Sequence, residues 1–514
     1  MVAATLAAAI LRCFRLGAQS LWIDEVLTWY SANVGGALGI HDLTENIHGP
    51  LYAAMVHISG AALGSSESAL RLPSALAGIA TVPAMAWLAD RWLGRRYAGW
   101  AAWAAALSPF LVWYSQEARP YAMLILMGCV SSALMLDLAG RARAPGAAVS
   151  RRLRSASYAV VAAAGVLTSP SFAFVLPLHL RWWLAAPRAE QDAAAGALRA
   201  SRLRRARQAA IAVAVLGALA LPWAPQALRT WDWQRLHPGR AAAAGETALR
   251  GATTFHAAAV PFALHAFAVG YTLGPSLREL RADPSVSTLV RHAGEVALTT
   301  LVFGTLGVLG VVALRRRRRL TDFLLWLAVP VLVVSWFAIS NFKVFHPRYL
   351  AVASPAFLLA IAAALADLRP RPRALLAGAV LALWAVSLAH HFGAPGYGKE
   401  DQRGAAALVT VRAARDESVI AVNTIDPMLY YYHGPAPLTP FWLGFAADPA
   451  TLERRLGEAL PNRRGAWVVL SRPEDLDPRG RFANLMDARY PDAERFAFEG
   501  VRVWHVPPGA AAGR

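Results

Sequence analysis

Long apolar segments alternate with short arginine-rich stretches along most of this chain. Hydrophobic residues make up 56% of the 514 residues and charged residues only 16%, a balance typical of chains that cross a membrane several times. Residues 293–314 form one apolar segment, and five consecutive arginines follow it at 315–319. Arginine clusters between apolar segments indicate loops retained in the cytoplasm. The pattern therefore predicts a polytopic α-helical membrane protein.

The net charge of +19 does not by itself indicate a nucleic-acid partner. All but two of the 51 basic residues are arginine, the exceptions being Lys343 and Lys399. Because many of the arginines lie in short runs between apolar segments, the charge is explained by membrane topology, and no nucleic acid is expected. Cys13 and Cys129 both lie in apolar segments, so no disulfide framework is predicted.

The positions of the arginine runs predict about eleven transmembrane helices, with the N-terminus in the cytoplasm. The first span, residues 2–16, is short for a bilayer core, which needs about 20 residues. It is expected to be a retained anchor, and its length is compatible with a start further upstream. Residues 158–185 are interrupted by SPSF and have arginine-rich flanks on both sides, which predicts two short or tilted helices or a re-entrant pair. The outer side then carries a first loop at 17–68 and a long loop at 226–292.

Beyond residue 392 the composition becomes that of a soluble domain. Strands and a helix are predicted by buried apolar runs, amphipathic spacing and alternation at 418–422, 449–460, 467–470 and 499–506. Strands and helices that alternate in this way indicate a small α/β domain. We therefore expect a membrane domain over residues 1–392 and an extracytoplasmic α/β domain over residues 393–514.

Two adjacent carboxylates, Asp24 and Glu25, lie in the segment SLWIDEVLTWY just after the first apolar segment. Carboxylates near hydrocarbon are costly and tend to persist where a water-filled site or a reaction uses them. A helix N-terminus would also favour acidic residues, so the pair taken alone has a plain structural explanation. The functional interpretation is a general base or a metal ligand. An inverting glycosyl transfer needs one such carboxylate to take the proton of the acceptor hydroxyl.

Two further polar clusters lie at predicted outer ends of helices. The motif SQEARPY contains Glu117 and Arg119, and the motif NFKVFHPRY contains Lys343, Arg348 and Tyr349. Arginine can hold a phosphate through two hydrogen bonds, and Glu117 could bind a metal or the acceptor. Interfacial Arg and Tyr are also common membrane anchors. The predicted placement of all these residues on one face, together with Asp24, is the reason to expect a shared site.

The histidines show no metal-ligand spacing such as H-E-x-x-H. A divalent cation such as Mg²⁺ or Mn²⁺ would be held mainly by oxygen ligands, so zinc is not implied. Neither a Walker A loop nor a G-x-S-x-G segment is present in a suitable context, which disfavours ATP-driven transport and serine hydrolysis.

Five segments, taken in chain order, carry a family resemblance: SLWIDEVLTWY, HGPLY, SESALRLPSALAG, LSPFLVWYSQEARPYAM and HPRYLAVASPAF. Together they resemble the GT-C superfamily of polyprenyl-phosphate-sugar glycosyltransferases, nearest to the bacterial family 39 group related to protein O-mannosyltransferases and lipid A aminoarabinose transferases. The resemblance implies a membrane enzyme that takes a sugar from a lipid-phosphate carrier and inverts its anomeric centre. It also implies that the first outer loop carries the catalytic acid, here Asp24 with Glu25 beside it.

The sequence departs from this family pattern in two places. Relatives have an acidic residue after the arginine of the second motif, whereas Arg119 is followed by Pro120 and Tyr121, with Glu117 ahead of it. The HGPLY segment also lacks the lysine that some relatives place before its proline. His48 or a distant arginine would then contact the donor phosphate.

The sequence therefore predicts an inverting hexosyl- or pentosyltransferase of the bacterial inner membrane, with its C-terminal domain periplasmic or extracellular. The expected partners are a polyprenyl-phosphate-sugar donor, membrane lipid and an acceptor protein, lipid or glycan. One alternative is a lipid-linked saccharide transporter or flippase, although transporters tend to place charged residues near the mid-bilayer. The other is a non-catalytic relative that serves as an assembly scaffold.

Overall fold

The computed structural model of the chain describes residues 1–33, 49–140, 151–185, a few positions between 203 and 221, and 255, 257–283, 285–340, 344–422, 425–441, 449–460, 465–477 and 480–509. The chain divides into two compact units. The first consists of residues 1–16, 31–270 and 294–388, and the second of residues 17–30, 271–293 and 389–514. The second unit therefore contains parts of both predicted outer loops. The predicted domain boundary at 392/393 stays a prediction.

Helices dominate the described residues. In chain order they are α1 (Val2–Cys13), α2 (Ile23–Asn33), α3 (Pro50–Leu63), α4 (Glu67–Trp92), α5 (Arg95–Leu107), α6 (Pro109–Ser115), α7 (Tyr121–Leu138), α8 (Arg151–Thr168), α9 (Leu176–Leu184), α10 (Ala259–Val269), α11 (Leu277–Ala282), α12 (Val286–Arg291), α13 (Ala293–Arg316), α14 (Leu320–Ile339), α15 (Ser354–Asp367), α16 (Pro370–Gly393), α17 (Gln402–Arg412), α18 (Asp426–Tyr431), α19 (Pro449–Ala459), α20 (Pro473–Leu476) and α21 (Arg481–Arg489). Short 3₁₀ turns occur at Pro170–Val175, Pro347–Ala353 and Pro395–Tyr397.

Six helical segments within the described residues are long and apolar enough to cross a membrane. They are α4, α7, α13, α14, α16 and the segment Pro347–Asp367, in which a 3₁₀ turn leads into α15. A mostly helical chain with several candidate membrane spans and a small C-terminal sheet is therefore confirmed. The count of eleven passes stays a prediction.

The predicted interruption at SPSF is present. Helix α8 ends at Thr168, and the chain then makes the 3₁₀ turn Pro170–Val175 before α9 begins. On α9, His179 is buried and makes hydrogen bonds of 3.0 Å with Ser132 of α7 and 3.1 Å with Tyr158 of α8. Polar contacts of this kind join neighbouring helices where no water is available.

A five-stranded sheet forms the core of the C-terminal part of the second unit. Its strands are β1 (Ser418–Val422), β2 (Leu438–Phe441), β3 (Ala466–Ser471), β4 (Glu494–Phe498) and β5 (Val501–Val506), arranged in the order β2-β1-β3-β5-β4. Strands β2, β1 and β3 are parallel, whereas β5 is antiparallel to both β3 and β4. The predicted strands at 418–422, 467–470 and 499–506 are confirmed, and β2 and β4 are additions to the prediction.

Both faces of this sheet are covered. One face buries Ile420 and Val468 with apolar residues of α19 and α21, and the other buries Val419 and Trp467 with apolar residues of α17. Burial on both faces explains why β1 and β3 are continuous apolar runs rather than alternating ones. We call residues 399–509 the α/β module.

One buried carboxylate organises the polar interior of the α/β module. Glu417 accepts hydrogen bonds from the indole of Trp467 (3.0 Å) and the amide of Ala414 (2.8 Å), and lies 2.8 Å from Nε2 of His505. Burial raises the pKa of Glu417, but the bonds from His505, Ala414 and Trp467 outweigh it and hold the pKa below its usual range. The stability that Glu417 supplies is thus present at neutral pH and is lost as the pH falls through that lowered value.

Candidate active site

Asp24 and Glu25 lie in the first turn of α2, where acidic residues complement the helix dipole. Consecutive residues of an α-helix point about 100° apart, so the two carboxylates have different surroundings. Asp24 is half-buried, whereas Glu25 is completely buried. The backbone carbonyl of Asp24 accepts a hydrogen bond of 2.9 Å from the hydroxyl of Thr28, one turn further along α2. Of the predicted pair, Asp24 is the residue in the more open position.

Glu25 pairs with a lysine from the far end of the chain. Its Oε2 atom lies 3.0 Å from Nζ of Lys399 and 3.4 Å from the backbone amide of Trp22. Both residues belong to the second unit. The sequence had placed Glu25 beside Asp24 as a second catalytic or cation-binding carboxylate; the structure brings it to a buried cation of the protein itself.

The SQEARPY motif is buried in the first unit, between α6 and α7. The carboxylate of Glu117 accepts a hydrogen bond of 2.9 Å from the indole of Trp113. Glu117 and Arg119 are 3% and 7% exposed, which is unusual for solvated membrane-edge residues. Burying charged groups is costly unless they are paired or used, so this motif is more than a surface anchor.

Arg119 is held in place through its own backbone. The hydroxyl of Tyr52 lies 2.7 Å from the hydroxyl of Ser74, which donates to the carbonyl oxygen of Arg119 at 3.0 Å. Because Ser74 gives its only proton to that carbonyl, Tyr52 must be the donor in the first bond. Tyr52 comes from HGPLY and Ser74 from SESALRLPSALAG. Three separated motifs thus meet at one carbonyl.

The HPRY motif forms the start of the 3₁₀ turn Pro347–Ala353. The ring of His346 caps this turn by accepting from the amide of Arg348 at 3.2 Å. The guanidinium of Arg348 lies over the ring of Tyr349 at 5.1 Å and donates to its hydroxyl at 3.1 Å. The turn packs on α7. The side chain of Val352 comes so close to Gly128 of α7 that a Cβ atom on this glycine would lie only 3.1 Å from it. Arg348 therefore belongs to a segment that lies along the helix following Arg119.

The remaining predicted site residues concern the donor phosphate and a metal ion. His48 and Lys343, both predicted to contact phosphate, lie outside the described residues. No three His, Cys, Asp or Glu side chains lie together as metal ligands within the ranges that the structure describes.

Sequence reasoning missed several residues around these motifs. Arg71 is 2% exposed and donates to the carbonyl of Leu16 at 2.9 Å, and Lys399, Tyr52 and Ser74 have the contacts described above. Two of them carried a usable signal: Arg71 interrupts an apolar segment, and Lys399 is one of two lysines in a chain rich in arginine. The hydroxyls of Tyr52 and Ser74 carried none.

Solved structures provide the comparison with known proteins, since no family model and no curated protein matches this sequence. ArnT from Cupriavidus metallidurans bound to undecaprenyl phosphate is similar with a TM-score of 0.58 and 16% identity, over 100% of this chain and 99% of that one. The Archaeoglobus fulgidus oligosaccharyltransferase in complex with Zn and sulfate has a TM-score of 0.53 and 13% identity, over 97% of this chain and 72% of that one. AglB from the same organism, in complex with an inhibitory peptide and a dolichol-phosphate, has a TM-score of 0.52 and 14% identity, over 97% and 73%. At these identities the likeness is one of fold, and this fold agrees with the one that the motif resemblance implied.

Two of the motifs, SESALRLPSALAG and LSPFLVWYSQEARPYAM, meet at one close contact that also involves α1. Arg12, which is completely buried, donates from Nε to the hydroxyl of Ser115 at 3.2 Å. Gly78, the last residue of SESALRLPSALAG, lies against both. A Cβ atom there would be 2.0 Å from the Ser115 hydroxyl and 2.8 Å from Nε of Arg12. Only glycine leaves room for this contact.

We expect Gly78→Ala to lower the thermal stability of the purified protein, because overpacking of this kind costs about 1–3 kcal/mol. The matched control is Gly99→Ala on α5, where an added Cβ meets nothing within 4 Å. Alanine there should leave the melting temperature unchanged or raise it slightly, since it is the better helix former. Equal melting temperatures for the two variants would contradict the conclusion that only glycine fits at position 78.

Proposed function

We propose that this chain, which has the GT-C fold, is an inverting glycosyltransferase that moves a sugar from a polyprenyl-phosphate-linked donor to an acceptor on the outer face of the membrane. The observation that carries the proposal is the similarity of fold over the whole chain to ArnT bound to undecaprenyl phosphate. The buried motif with Glu117 and Arg119 supports it, because such burial is better explained by a reaction site than by membrane anchoring.

In the proposed reaction Asp24 is the general base. Its carboxylate takes the proton of the acceptor hydroxyl as that oxygen attacks the anomeric carbon of the donor. The bond from the anomeric carbon to the phosphate oxygen breaks, and the polyprenyl phosphate leaves with both electrons of that bond. Attack from the face opposite the phosphate inverts the anomeric centre. Because phosphate is a good leaving group, this scheme needs only one base and a positively charged group near the phosphate.

Arg119 and Arg348 are the proposed donor-phosphate contacts, with Tyr349 beside them. A guanidinium presents several N–H donors in a fixed plane that matches a phosphate. The stacking of Arg348 on the Tyr349 ring would fix the direction of that plane. Lys343 and His48 stay predictions for the same phosphate.

Glu25 and Glu117 stay predictions as ligands of a divalent cation, Mg²⁺ or Mn²⁺. Their contacts, to Lys399 and Trp113 respectively, support local structural roles instead. The transfer experiment below identifies the sugar and the acceptor, whether protein, lipid or glycan.

For the membrane topology we propose eleven passes in a bacterial inner membrane, with the N-terminus in the cytoplasm and the C-terminal residues outside. The support is the distribution of arginine, since the five-residue run at 315–319 and the run RPRPR at 369–373 follow apolar segments.

Asp24→Asn should abolish sugar transfer, with a loss of at least about 100-fold in rate, because general base catalysis typically contributes that much or more. The assay offers reconstituted protein a panel of radiolabelled polyprenyl-phosphate sugars with a membrane extract as acceptor. Asp416→Asn, at an exposed position of the second unit, is the control and should retain activity. Label that only crosses the bilayer, equally with wild type and Asp24→Asn, would favour the flippase alternative.

Arg348→Ala should weaken donor binding by about 10- to 100-fold, since a hydrogen bond to a charged group is worth about 1.5–3 kcal/mol. The measurement is the affinity of the detergent-solubilised protein for a polyprenyl phosphate. Arg371→Ala, an exposed arginine of the first turn of α16, serves as the control and should bind normally. An unchanged affinity of Arg348→Ala would remove this residue from the phosphate site.

Reporter fusions test the topology. Fusions after Arg319 and after Arg373 should report the cytoplasm, and a fusion after Gly393 should report the outside. The physical basis is that short loops rich in arginine are retained on the cytoplasmic side. The reverse pattern would place Asp24 on the cytoplasmic side and overturn the proposed arrangement.

A further inference from the structure

We propose that the α/β module orients the helix that carries Asp24 through the buried ion pair between Lys399 and Glu25. Lys399 is then a positioning residue for the transfer, acting on Asp24 through Glu25 and α2. The kinetic part of this inference rests on the proposed function, whereas its structural part does not. It gives the C-terminal residues a specific task, which the sequence alone did not assign.

The ion pair is buried on both sides. The side chain of Glu25 is 0% exposed and that of Lys399 is 9% exposed, and Oε2 and Nζ are 3.0 Å apart. Removing two charges from water costs several kcal/mol per ion, and well-packed apolar residues would often serve stability as well or better. Removing only one partner leaves the other charge buried and is strongly destabilising. The pair thus penalises any orientation of α2 that separates these two groups.

A second contact on the same helix face adds to this constraint. Trp29 follows Glu25 by four residues, so the two side chains lie on one face of α2. The ring of Trp29 meets the ring of Tyr430 edge-on, with centroids 4.9 Å apart. Lys399 and Tyr430 both belong to the α/β module. Contacts one turn apart fix the rotation of α2 about its axis, and therefore the direction of Asp24.

The segment leading into α2 is also bound to the α/β module. Arg403 donates to the carbonyls of Gly17 (3.2 Å) and Ala18 (2.7 Å), and its backbone amide donates to the hydroxyl of Ser20 (3.2 Å). The hydroxyl of Tyr431 accepts from the amide of Leu21 at 2.7 Å. These bonds hold the backbone up to the start of α2. Glu25 and Trp29, which lie within α2 itself, add contacts that constrain the rotation of the helix.

The composition of the chain allows a direct test that needs no enzymatic activity. Lysine occurs only at Lys343 and Lys399, so Lys343→Arg leaves Lys399 as the one lysine side chain. An amine-reactive reagent applied to the full-length Lys343→Arg protein in detergent should modify Lys399 slowly, because its side chain is largely buried. Peptide mass spectrometry measures the rate.

Adding Glu25→Gln to that protein should raise the modification rate of Lys399 several-fold, because the amide no longer holds the ammonium group. The control is Glu417→Gln, which weakens the polar interior of the α/β module without touching the pair, and it should leave the rate unchanged. Equal rates for Glu25→Gln and its parent would overturn the proposal. So would an equal rise with Glu417→Gln, because the effect would then be general loosening.

The positioning role is tested by kinetics. Lys399→Met should lower kcat by about 100-fold, the scale of loss expected from a misplacement of about 1 Å, while the KM for the donor changes little. Lys399→Arg keeps the charge and should restore most of the activity. In Lys399→Met, hydrogen exchange in the peptide covering 21–30 should also rise above wild type, and in Glu417→Gln it should not.

These readouts separate the two proposals. A wild type without transfer activity would defeat the proposed function, yet amine modification and hydrogen exchange would still decide on the ion pair. Normal kcat and normal exchange in Lys399→Met would defeat the positioning role and leave the transferase intact. If Lys399→Met does not fold, Lys399→Arg is compared with wild type instead. A loss of about 100-fold in the kcat of Lys399→Arg would overturn the proposal that the positive charge at position 399 positions α2.

Discussion

The fold of the first unit depends on satisfying backbone carbonyls where helices end in an apolar environment. Hydrocarbon offers no water to such groups, and each unsatisfied one costs several kcal/mol. Arg12, near the end of α1, donates to the carbonyls of Ala105 and Ala106 at the end of α5. In return Gln116 donates to the carbonyls of Leu11, Arg12 and Phe14 at the end of α1. Arg12 of α1 thus caps the end of α5, and Gln116, which follows α6, caps the end of α1.

These caps explain why the polar motifs lie where they do. Gln116 is part of SQEARPY, and the residue that precedes it, Ser115, also contacts Arg12. The same short stretch that carries Glu117 and Arg119 thus joins α1 to the rest of the first unit. Its burial has a structural cause as well as a proposed functional one. A phosphate site built beside such a rigid junction would have little freedom to rearrange, which favours preorganised binding.

The sequence alone predicted much of the fold. The apolar segment followed by five arginines identified α13, because the length and apolarity of a segment are local properties of the sequence. The SPSF interruption and the strands β1 and β3 were also predicted from local pattern. Strands β2 and β4 were not, since β2 is short and largely exposed and β4 lies at the edge of the sheet. Strand β2 pairs with β1 across the intervening helix α18, and β4 forms a hairpin with β5.

The residues of the candidate site were likewise predicted from the sequence only in part. Residue chemistry and motif order were enough to single out Asp24, Glu117, Arg119 and Arg348. Only the tertiary structure separated Asp24 from Glu25, because their difference comes from Lys399, which is 374 residues from Glu25, and only it joined Tyr52 and Ser74 to Arg119. The sequence by itself determined a helical membrane protein with carboxylates and arginines at helix ends. Which of those charges is buried against a partner was decided by long-range packing, because no local pattern specifies the residues that meet.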